Sequence, residues 1–150
     1  MATGRTRGPR TWPCDQRTAS GSIAVVGRRR TELADTPIIE GGIDFARQGR
    51  ARAGQRNHGL MRLYAEPETG KFLGAEMCAP AAEHMAHLLA LALDRGMTVR
   101  ELLRLPFYHQ VLEEGLRSAL RELAAQLPAA GVSDLQSCGG FEGIGAEALD

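Results

Sequence analysis

LMRLYAEPETGKFLGAEM, residues 60–77, is the stretch whose reading decides the fold. Leu60-Met61-Arg62-Leu63-Tyr64 is rich in the apolar and aromatic types that suit a pleated surface, and Phe72-Leu73-Gly74-Ala75-Glu76-Met77 has the same character. Between them lies Glu66-Pro67-Glu68-Thr69-Gly70-Lys71. Pro67 suits the second position of a type I turn and Gly70 tolerates positive φ, so the segment predicts a β-hairpin.

Upstream, Ile23-Ala24-Val25-Val26 is a short apolar run closed by Gly27 and reads as a buried strand. Thr31 to Ala34 fits one helical turn stopped before Pro37. A further short strand is expected within Ile38 to Phe45, and the Arg-rich segment from Arg47 to Arg56 reads as an exposed connection.

Downstream the period changes. Pro80 is placed to open a helix, with Met85, Leu88, Leu89, Ala92 and Leu93 at helical spacing and Gly96 as its stop. Leu91 widens the apolar stripe. Thr98-Val99-Arg100-Glu101 fits a capping box, starting a short helix that ends at Pro106. A last helix is expected from about Val111, with Leu112, Leu116, Ala119, Leu120, Leu123 and Leu127 on one face and Pro128 as its end. Strands first and helices after give an α+β domain: an antiparallel sheet with helices packed on it. The expected organisation is a disordered leader over 1–21, one folded domain over 22–127 and a flexible tail over 128–150.

Charge is balanced overall but not along the chain. Residues 1–56 hold eleven Arg against five acids, and residues 57–150 hold seven basic residues against thirteen acids. Such asymmetry is compatible with an Arg-rich nucleic-acid-binding protein. No known nucleic-acid module accompanies the arginines, so a solvated flank is the preferred reading and no nucleic-acid partner is expected. Cys14, Cys78 and Cys138 are odd in number and widely spaced, which excludes a secreted disulfide framework; Cys78 is read as a small apolar filler. No apolar run reaches the ~18–20 residues of a membrane helix, so no membrane partner is expected and the cytoplasm is the expected location. His84 and His87 lie three apart beside Glu83, but a third convincing ligand is missing and no metal site is assigned.

Pro106-Phe107-Tyr108-His109-Gln110-Val111-Leu112-Glu113-Glu114 carries the chemistry. On composition alone, His109 could simply cap the helix that follows, and Glu113 and Glu114 could simply complement its dipole. The segment, however, resembles the His-Pro-x-x-x-Glu signature near the C-terminus of pyridine nucleotide-disulfide oxidoreductases. Other motifs agree in order and spacing: Ile23 to Gly27 with a first strand, Gly49-Arg50-Ala51 with a "GRA" turn, Gly59 to Tyr64 and Thr69 to Glu76 with a central hairpin, and Thr98 to Leu103 before the histidine. The resemblance spans Ser22 to Leu127 and leans toward dihydrolipoyl dehydrogenase-like members. It implies the C-terminal dimerisation domain of a flavin-dependent disulfide oxidoreductase.

The resemblance implies that His109 is an acid–base for a substrate thiol at the flavin and redox disulfide of the other subunit, oriented by Glu114. Those two are the candidate catalytic residues. It also implies a homodimer or a flavoprotein partner, and FAD and NAD for the full-length family. The Gly-rich loops that bind those dinucleotides are missing here, as is the redox pair of closely spaced cysteines. No cofactor is therefore expected for this chain alone, which reads as a truncated fragment without activity of its own. The alternative is a subunit lending His109 and Glu114 in trans to a separately encoded flavoprotein. Gln110 stands where the family has proline after a typically cis bond; a trans bond here would aim His109 elsewhere.

Overall fold

In a computed structural model of the protein, the structure describes residues 22–128. The expected leader and all of the expected tail beyond Pro128 lie outside the described residues. Four strands form one antiparallel sheet: β1 (Ser22–Gly27), β2 (Ile39–Asp44), β3 (Leu60–Ala65) and β4 (Phe72–Ala79), in the order β1-β4-β3-β2. Four helices accompany it: α1 (Gly49–Ala53), α2 (Ala82–Asp94), α3 (Val99–Leu103) and α4 (Glu114–Ala124). The α+β reading holds.

The hairpin forms as expected. Glu66 N donates to Lys71 O and Gly70 N to Glu66 O, each at 3.0 Å, and Gly70 takes φ +70°. Alternation then sorts residues between the two sheet faces. Ala24, Met77, Met61 and Ile43 are aligned across the four strands, as are Val26, Ala75, Leu63 and Gly41. This face is the core. Helix α2 covers its β1–β4 half with Met85, Leu89 and Ala92, and α4 covers the β2–β3 half with Leu116, Ala119, Leu120 and Leu123. On the other face, the Tyr64 hydroxyl donates to Glu76 Oε2 at 2.6 Å, and Arg30 N donates to the same oxygen at 3.0 Å. Burial first, then the Glu76 carboxylate, pushes the Tyr64 phenol well above its usual range, so it stays a donor.

Several local expectations change. The turn after β1 is a 3-10 turn, Arg30–Leu33, that buries Leu33 completely. The Arg47–Arg56 connection is structured: a 3-10 turn over Phe45–Arg47 leads into α1, which buries Ala51. Helix α2 starts at Ala82 and not at Pro80, because Ala81 is left-handed at φ +52°. Helix α4 starts at Glu114 and not near Val111, so Leu112 packs from the preceding loop. Cys78 is disulfide-bonded and not merely an apolar filler. The Thr98–Glu101 capping box is present, with Thr98 N donating to Glu101 Oε2 at 2.7 Å. That bond holds the Glu101 carboxyl below its usual range.

Helix α4 lies unusually close to β2, and Gly41 permits it. A Cβ at Gly41 would stand 2.5 Å from Ala119 O and 2.9 Å from Leu123 N. Both are backbone atoms, so the whole helix would have to move. Gly41→Ala is therefore expected to destabilise the fold by about 1–3 kcal/mol or more in chemical denaturation. Gly49→Ala, with nothing within 4 Å of the added atom, is expected to be neutral or mildly stabilising.

Candidate active site

The loop between α3 and α4 carries the candidate residues. Thr98 starts α3 and Pro106 follows its end, so the chain leaves the helix and passes through Phe107, Tyr108 and His109 before re-entering at Glu114. The His109–Gln110 peptide is cis. His109 Nδ1 is hydrogen-bonded to Glu114 Oε1. The structure thus brings together the two residues singled out from the sequence. The histidine side chain is 75% exposed and the glutamate 32%. With Nδ1 facing a carboxylate, the geometry assigns the neutral ring a proton on Nδ1 and a lone pair on Nε2, which has no partner among the described residues. Glu113 makes no side-chain bond to the ring; its carbonyl accepts from Arg117 N at 3.1 Å.

Two contacts hold the pair in place, and neither is legible in the motif. Gly115 lets the first turn of α4 rest on Phe45: a Cβ there would be 2.9 Å from Phe45 Cε1. Gln48 is the second. It is buried, its Oε1 accepts from Ala51 N at 2.5 Å as the cap of α1, and its Nε2 donates to Val111 O at 3.0 Å. One amide side chain therefore ties the segment before the GRA turn to the loop just after His109. The capping half of this role has a local signal, a polar residue before a helical turn; the Val111 half lies 63 residues away and has none.

His109 and Glu114 line an open polar cleft of about 1010 Å³ between this loop, α4 and the end of β2. Arg47, Arg117 and Arg121 also line it, and no sequence motif marks them. His84 and His87 are on α2, away from this cleft, and no cluster of three metal-ligating side chains occurs among the described residues.

The family model of the pyridine nucleotide-disulphide oxidoreductase dimerisation domain matches residues 19–120. The chain belongs to this family. As a pyridine nucleotide-disulphide oxidoreductase dimerisation domain, it is similar to the mitochondrial dihydrolipoyl dehydrogenase of Pisum sativum, with 29% identity over 65% of this chain and 20% of that protein. The dihydrolipoyl dehydrogenase of Haloferax volcanii is 27% identical over 71% of this chain and 22% of its own length. The chain thus spans about a fifth of the curated relatives it matches. In fold the domain is similar to LpdA from Mycobacterium tuberculosis, with TM-score 0.63 and 23% identity over 67% of this chain and 22% of that one. It is also similar to the Cu(II) complex of the HOCl-induced flavoprotein disulfide reductase RclA from Escherichia coli, with TM-score 0.62 and 20% identity over 66% and 23%.

The described residues of the dimerisation domain hold no dinucleotide-binding unit of the parallel βαβ kind. All strand pairs are antiparallel, so no parallel βαβ unit places a Gly-rich turn at a helix N-terminus. No described helix is long and apolar enough to cross a membrane.

The Gln48 contact generates a test. Gln48→Ala leaves the Ala51 amide and the Val111 carbonyl unpaired, which is expected to lower stability by about 1–3 kcal/mol. Hydrogen exchange over 108–114 is expected to speed up by more than exchange in β3 and β4.

Proposed function

We propose that the chain serves as the dimerisation domain of a dihydrolipoyl dehydrogenase-like, flavin-dependent disulfide oxidoreductase, and that His109 and Glu114 are its acid–base pair. One observation carries the reading: the motif histidine is paired through Nδ1 with the motif carboxylate while Nε2 remains available at the rim of an open cleft. The chemistry follows from that arrangement. Nε2 accepts the proton of a substrate thiol, leaving a thiolate, and the ring becomes imidazolium. Glu114 holds the ring's tautomer and stabilises the positive charge as it forms. The flavin, the nicotinamide nucleotide and the redox disulfide of such an enzyme have no counterpart among the described residues. They would come from other polypeptide segments, so the described domain alone is expected to bind neither dinucleotide.

The test is a chimera in which residues 22–128 replace the equivalent domain of a dihydrolipoyl dehydrogenase. Dihydrolipoamide oxidation is expected, falling about 100-fold or more with His109→Gln. Glu114→Gln should have a smaller effect, and Glu113→Gln little. Unchanged turnover in His109→Gln, with flavin content and spectra intact, would remove the pair from the chemistry.

Self-association is the companion expectation. Membership of a dimerisation-domain family supports a homodimer, and Leu91 on α2, 52% exposed, is an apolar side chain available to such a self-complementary contact. Sedimentation at tens of micromolar should show a concentration-dependent dimer, and Leu91→Glu should shift it toward monomer. A well-folded species that stays monomeric throughout would count against it.

A further inference from the structure

The cleft beside His109 carries more positive charge than its own acids engage. Glu114, Arg117, Ser118 and Arg121 form one stripe along α4, and Arg47 faces them from across the cleft. Asp44 and Glu114 are the acids lining it. Both are already engaged: Asp44 Oδ1 accepts from Ala46 N at 2.9 Å, and Glu114 Oε1 holds His109. None of Arg47, Arg117 and Arg121 forms an ion pair among the described residues.

Arg117 is the most constrained of the three. Its Nε is sealed from solvent and meets no acceptor. Its guanidinium carbon stands 5.8 Å from the centre of the Phe107 ring, a cation–π contact that offers no hydrogen-bond acceptor. A partly desolvated cation without an acceptor is unusual in a folded protein, because the lost hydration is not replaced. With the Nε end closed, an acceptor has to approach from the cleft that Arg117 lines. A planar guanidinium suits a planar carboxylate there better than a single-point acceptor.

We infer that Arg117, supported by Arg121 and Arg47, forms an anion subsite for the free carboxylate of a disulfide or dithiol whose sulfur atoms reach His109. This deepens the function proposed above and rests on it. The cleft is large enough for such a molecule together with ordered water. A substrate with a neutral amide in place of the carboxylate leaves Arg117 without its counter-charge, so the site selects acid over amide.

The experiment titrates the full chain, isotopically labelled, with lipoate and with lipoamide at matched ionic strength, and follows side-chain resonances by NMR. Lipoate is expected to bind about tenfold tighter or more than lipoamide and to move both the Arg117 Nε–H and the His109 ring signals. Arg117→Gln should abolish the preference and Arg117→Lys should restore part of it. Because Arg117 packs on Phe107, the exposed Arg121→Gln is the second variant, and it should weaken lipoate more than lipoamide. Equal affinity for the two probes overturns the subsite, as does a preference that survives Arg117→Gln. Loss of the dimer in Arg117→Gln with neither probe bound assigns the arginine to an interface and also overturns it. The two proposals fail separately. A chimera active without acid preference defeats the subsite alone. An inactive chimera beside an acid preference in the isolated chain defeats the catalytic reading alone.

Discussion

The seat of α4 on the sheet governs most of what this domain can do. Helix and strand approach until the Ala119 carbonyl and the Leu123 amide occupy the space a side chain at position 41 would need. Close-packed interiors transmit such a constraint over the length of a rigid element. Leu116, Ala119, Leu120 and Leu123 fix the rotation of α4, and that rotation decides which side chains reach solvent. The stripe left outside is Glu114, Arg117, Ser118 and Arg121, so one packing arrangement sets both the carboxylate that meets His109 and the charges that line the cleft.

A helix alone would not hold His109, because the histidine lies in the loop before it. The loop is fastened from three directions. Thr98 and Glu101 fix where α3 begins, Phe45 takes the first turn of α4 against its ring through Gly115, and Gln48 holds the Val111 carbonyl. Phe45 and Gln48 both come from the segment that links β2 to α1, so the Arg-rich connection is a structural support of the site.

The sheet sets what this domain can hold. An antiparallel sheet covered by helices on one face supplies rigid placement for the His109–Glu114 pair. It does not supply the parallel strand–turn–helix unit that lets phosphates approach a backbone. The match to the dimerisation-domain family covers this same sheet and reaches into α4, and the chain spans about a fifth of the curated relatives.

The sequence by itself determined the fold class, the hairpin, the capping box and the identity of the His109–Glu114 pair. The first three are written in local chemistry: alternation of apolar residues, a Pro–Gly turn, and a hydroxyl three residues before a carboxylate; the pair is named only by the resemblance of its segment to a family signature, because local chemistry alone fits a helix cap as well. Only the tertiary structure decided where α2 and α4 begin, that the Arg47–Arg56 connection buries Ala51, that Gln48 serves the loop, and that Arg117 faces the cleft with its Nε sealed. The reason is range. Propensity and periodicity report on neighbours a turn away, whereas Gln48 and Val111 are joined across 63 residues, and the burial of Arg117 depends on how α4 lies against Phe107. A close approach such as that at Gly41 leaves no local trace beyond the glycine itself, because the atoms that require it belong to a helix far along the chain.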